Sequence, residues 1–141
     1  MRKFQSLFVV AALLLAGCTQ DPYRAAIKAS SDVSQAVSSA IKITASYYSA
    51  GTINDAKKAQ VAGILNIVTD CNMSFRKSVV ATHTAGQTGI TAFLPIANSF
   101  VQCAQISPQV MTDPTASNIL KAVDTAIHGV SVAIANAKGA K

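Results

Sequence analysis

The chain has 141 residues, 50% of them hydrophobic and 13% charged, with 12 Lys and Arg against 6 acidic residues, all of them Asp, and a formal net charge of +6. That length is the size of one domain. Charge is too sparse for a long coiled coil, apolar residues are too frequent for a disordered tail, and 7 Gly with 4 Pro exclude a collagen-like repeat.

The first eighteen residues fall into three parts. Met1-Arg2-Lys3 is a basic leader, and Phe4 to Leu14 is apolar apart from Gln5 and Ser6. The apolar run is too short to cross the roughly 30 Å hydrocarbon core of a bilayer comfortably, so the pair reads as an export signal. Leu15-Ala16-Gly17-Cys18 follows. Small residues ahead of a Cys resemble the lipobox of bacterial lipoproteins, a resemblance confined to this segment. It implies removal of residues 1–17 as a signal peptide, a thioether-linked diacylglycerol on Cys18, and an N-acyl chain such as palmitate. Two or three chains anchor stably where one binds marginally. Thr19 stands where an Asp would resemble an inner-membrane retention signal, which favours the periplasmic face of the outer membrane in a Gram-negative host. An ordinary secretory signal is the alternative. Residues 18–21 then form a lipidated Cys and a tether of about 10–14 Å at up to about 3.5 Å per residue. Such a tether holds a domain of residues 22–141 against its own leaflet.

Beyond the tether the hydrophobic period is helical throughout. Asp21-Pro22 is a cap followed by a first-turn Pro. The first helix carries Ala26, Ser30, Val33, Val37, Ala40, Thr44 and Tyr47 at spacings of three and four, a small-residue face. Tyr47-Tyr48 at its end are expected to cap the core, one ring in and one out, rather than to form a recognition patch or a membrane anchor. Gly51 is a natural stop, and Thr52 with Asp55 has the spacing of a capping box for the second helix. The stripe of that helix is Val61, Ile64, Val68, Cys71, Phe75 and Val79. The polar stretch from Ala81 to Gly89 ends it, with His83 facing solvent.

A third, shorter helix is predicted from Phe93, Ile96 or Ala97, Phe100 and Ala104, with Pro95 in its first turn. Ser107-Pro108 is read as a chain break, and Asp113-Pro114 repeats the cap-and-Pro device. The last helix follows through Ala116, Ile119, Val123, Ala126 or Ile127, Val130, Ala133 or Ile134, and Ala137, ending at Gly139. No alternating strand pattern is present. Short linkers between four helices predict an all-α, antiparallel up-down-up-down four-helix bundle.

With Cys18 lipidated, Cys71 and Cys103 remain, an even number in an oxidising compartment. One disulfide between the second and third helices is expected, worth about 3–4 kcal/mol in the chain-entropy model. Two free buried thiols, or a metal site with His83 and His128, are the alternatives, the latter without zinc-type spacing. Asp124, His128 and Ser131 share one face of the last helix, the parts of an Asp-His-Ser relay. A ridge on one helix lacks the cleft and oxyanion hole that such a relay needs, so a polar outer face is expected. With no Glu and no P-loop, G-x-S-x-G or H-E-x-x-H motif, neither catalysis nor a cofactor is expected.

Loss of Arg2 and Lys3 with the signal leaves ten basic residues against six acidic ones. This mild excess points to lipid phosphates or lipopolysaccharide rather than to nucleic acid. The basic doublets Lys57-Lys58 and Arg76-Lys77 have no interleaved aromatics and read as solvated helix faces. The resulting expectation is a small envelope lipoprotein that binds an envelope partner through a helix face. One alternative is a phage- or plasmid-type exclusion lipoprotein that blocks a receptor or channel, similar in size and plan alone. The other is a carrier of an apolar ligand between helices.

Overall fold

Asp21 caps the first helix: its carboxylate accepts from the Arg24 amide, and Pro22 fills the first helical position, where its missing donor costs nothing. The computed structural model describes residues 21–137. They form an all-α structure with helices α1 Pro22–Ser49, α2 Asp55–Thr84, α3 Ile90–Ala104, α4 Pro108–Met111 and α5 Pro114–Ala135, and no strand among the described residues. Residues 1–20, and with them the lipobox and Cys18, lie outside this range, as does Gly139.

The helix faces bury largely as their periodicity predicts. Ala26, Ser30, Val33, Val37, Ala40 and Thr44 of α1 are buried, and Tyr47 packs half-buried against the core. The opposing contribution of α5 is large and branched, with Ile119, Leu120, Val123, Ile127, Val130 and Ile134 all at most 1% exposed. Small side chains on α1 let α5 approach closely, so large fills the space that small leaves. α1 packs on both α2 and α5, α3 packs on the same two helices, and α4 rests on α5. The Cys71–Cys103 disulfide joins α2 to α3, with the two Cα atoms 5.9 Å apart. One turn along, Phe75 and Phe100 pack with ring centroids 5.1 Å apart.

The structure corrects several boundaries. A fifth helix is present, because Ser107-Pro108 both ends one segment and starts the single turn α4, with Pro108 at the first position. That turn brings Val110 and Met111 onto the core, next to buried Ile106. α3 begins at Ile90, so Pro95 lies in its second turn and the Thr91 carbonyl has no helical donor. Thr91 and Pro95 are both exposed. α2 is capped by Asn54, whose side chain accepts from the Lys57 amide, and not by Thr52. Thr52 belongs to the end of α1: its amide and that of Ile53 both donate to the Tyr47 carbonyl, and Gly51 takes the left-handed φ of 73° that this closure needs. α2 also runs through His83 to Thr84 before Gly86, at φ 85°, turns the chain.

Candidate functional site

The end of α1 and the start of α2 meet across the Gly51 turn. There the Tyr48 hydroxyl donates to Asp55 Oδ1 at 2.6 Å, and Lys58 Nζ lies 4.0 Å from the centroid of the Tyr48 ring. The Asp55 carboxylate accepting from that hydroxyl, with partial desolvation, holds the phenol above its ordinary 10.0. Tyr47 is half-buried and Tyr48 38% exposed, one ring in and one out as the sequence predicts. The adjacent Lys57 turns the other way, because neighbouring residues on a helix point about 100° apart. Its ammonium pairs with Asp113, whose carboxylate also accepts from the Thr115 and Ala116 amides as the cap of α5. The Lys57 hydrogen bond leads the influences that hold the Asp113 carboxyl below its ordinary value.

From Lys58 a groove of about 280 Å³ runs between α1 and α2, floored by buried Val37 and Leu65, with exposed Ile41, Ala45 and Ala62 along its rim. Asn66, Thr44 and Thr69 line it too, the two hydroxyls donating to the Ala40 and Leu65 carbonyls of their own helices. A second, broader recess of about 590 Å³ between α1 and α5 is lined by Asp32, Asn118, Lys121, Thr125 and alanines.

The last-helix cluster is not assembled as a relay. His128 Nδ1 lies 2.9 Å from the Asp124 carbonyl and 3.5 Å from its carboxylate, whereas the Ser131 hydroxyl donates to Asn98 of α3. His83 is exposed, as expected, yet its ring stacks on Tyr23 at 3.8 Å with the planes 12° apart. Arg76 and Lys77 are exposed and make no ion pair among the described residues. Cys71 and Cys103 are joined to each other, which removes the free-thiol and metal alternatives for this pair. No group of three metal-ligating side chains occurs among the described residues. Among the same residues no helix is long and apolar enough to cross a membrane.

The sequence reading missed two features. Asn72, buried on α2, accepts a hydrogen bond from the Ser30 hydroxyl at Oδ1 and donates to the Ser30 carbonyl and the Ser34 hydroxyl of α1. Lys58 was visible only as half of a doublet; its separate role follows from the helical angle between neighbours. Comparison with protein-family models, curated proteins and solved structures finds no match for this chain.

Proposed function

We propose that this chain is a small lipid-anchored envelope lipoprotein, held by acylated Cys18 at the periplasmic face of an outer membrane, where it serves as a structural or adaptor protein without catalysis of its own. The observation that carries the reading is Leu15-Ala16-Gly17-Cys18 placed only three residues ahead of the capped start of α1. A tether of about 10–14 Å at most keeps the helical domain beside its leaflet, within reach of partners in or near that membrane and of no distant ones.

We further propose that the four long helices run alternately up and down as an antiparallel bundle. Support comes from contacts that fall in opposite chain order. Between α1 and α2 the pairs are Tyr23 with His83, Ser30 with Asn72, and Tyr48 with Asp55. Between α2 and α3 they are Cys71 with Cys103 and Phe75 with Phe100. In this arrangement the start of α1 and the end of α2 face the membrane, and Tyr48 lies roughly 40 Å away at about 1.5 Å per residue. Helix-face recognition draws support from Met73 and Val80, which are 54% and 41% exposed and, seven positions apart, share one face of α2.

Photo-crosslinking of the full chain in native envelopes, with probes at Met73 and Val80 and a Cys18→Ala control, tests the reading. One dominant protein adduct that disappears in the control is the expected result. Absence of a specific adduct, or an adduct indifferent to Cys18→Ala, would contradict a membrane-proximal adaptor.

A further inference from the structure

We infer that the groove between α1 and α2 is a binding site for a single-chain anionic amphiphile of the fatty-acid class, with its alkyl chain along Val37, Ile41 and Leu65 and its carboxylate on the Lys58 ammonium. Lys58 is the one formal charge lining the groove, and it makes no ion pair among the described residues. The Tyr48 ring holds the ammonium in place without neutralising it, and the Asp55 carboxylate, hydrogen-bonded through Oδ1 to the Tyr48 hydroxyl, makes no ion pair with it. Lys58 also lies in the first turn or so of α2, where the positive end of the helix dipole favours an anion.

The rest of the groove is suited to a hydrocarbon chain. Ile41 on its rim is left 55% exposed, and the Thr44 and Thr69 hydroxyls are spent on backbone carbonyls, which leaves the exposed Asn66 amide as the one other polar side chain on the lining that could meet a ligand. From Lys58 to Thr69 the lining advances about 16 Å along α2, at about 1.5 Å per residue, which is commensurate with an extended acyl chain of medium length. A volume of about 280 Å³ lies at the lower limit of small-ligand pockets, roughly 300–1,000 Å³, so one chain fits where a two-chain phospholipid does not. The site stands apart from acylation of Cys18, because its residues lie toward the Tyr48 end of α1 and none of them belongs to the anchor.

The test is a fluorescence titration of the full chain carrying Cys18→Ala with a dansyl-labelled undecanoate below its micellar concentration. The expected result is saturable one-site binding, displaced by dodecanoate but not by dodecanol or dodecyltrimethylammonium. Lys58→Glu should weaken binding about tenfold or more, the scale of a lost charge pair. Ala62→Phe, at an exposed position, should abolish it by filling the groove while circular dichroism shows an unchanged helical fold. No saturable binding, or binding equal to the parent in both folded variants, would overturn the proposal. So would a dimer that Ala62→Phe dissociates, since a second copy would then occupy the groove. Loss of binding to phosphatidylglycerol vesicles in Lys58→Glu, with the probe titration unchanged, would assign the cation to a membrane surface and likewise overturn it.

Discussion

Ser30 and Asn72 stand 42 positions apart and exchange hydrogen bonds across the α1–α2 contact, each buried and each satisfied. In the buried middle of that contact such a pair sets which turn of one helix faces which turn of the other, because any slip leaves buried donors and acceptors unpaired. Asn72→Ala should therefore cost about 1–3 kcal/mol in urea unfolding, and Ser30→Ala with Asn72→Leu should cost less than the single change. Equal losses would show that the polar pair adds nothing beyond packing. Asp113 gives a pH signature of known sign. Its folded carboxyl titrates below the ordinary 3.8 because of the Lys57 hydrogen bond, then the Ala116 amide. The stabilisation is thus complete above that ordinary value and is lost as pH falls through the lower folded one. Urea midpoints measured from pH 6 down to pH 2 should fall less steeply for Asp113→Asn than for the parent, with the difference confined to the acid end. Neither residue is legible in the same way from the sequence. Asp113 sits in a local Asp-Pro signal and was readable as a cap, but its Lys57 partner is 56 positions away. Asn72 is one position from the predicted stripe and becomes recognisable only beside Ser30.

Helices with a strong three-and-four period were readable nearly residue by residue, as α5 and α1 illustrate. Where two apolar residues adjoin, the period alone does not choose between them. Leu65 is 3% exposed while Ile64, which the stripe selected, is half-buried, and Leu120 joins Ile119 in the core. Boundaries depended on competition between local signals. Thr52 had capping-box spacing, but closing α1 onto the Tyr47 carbonyl and burying Ile53, 6% exposed, left Asn54 to start α2. The α2–α3 pairing was foreseeable because Cys71 and Cys103 lie at similar distances on either side of the Gly86–Gly89 turn. With a sequence separation of 32, the crosslink should contribute about 3–4 kcal/mol by limiting the unfolded chain. Cys71→Ala with Cys103→Ser should lower the urea midpoint accordingly, and dithiothreitol should do the same to the parent but leave the double variant unaffected. A parent whose midpoint ignores the reductant would contradict a stabilising role.

For the molecule as a whole, the core is built from Ala, Val and Ile with few aromatic rings, so each helix contact buries little area and the disulfide and the buried Asn72 pair carry more of the specificity. Both ends of the long α1 have distinct chemistry. The Pro22 end adjoins the segment that carries Cys18, and the other end carries Tyr48, Asp55, Lys58 and the head of the groove. The anchor proposed at the first end rests on a contiguous motif, whereas the groove is formed by two helices and has no linear signature. The most direct measurement of the central claim is the intact mass of the protein extracted from native membranes, with the terminal peptide sequenced. A chain beginning at Cys18 and carrying the added mass of a diacylglycerol and an acyl group, both lost in Cys18→Ala, is the predicted result. An unmodified Cys18, or a terminus at any other residue, would contradict it.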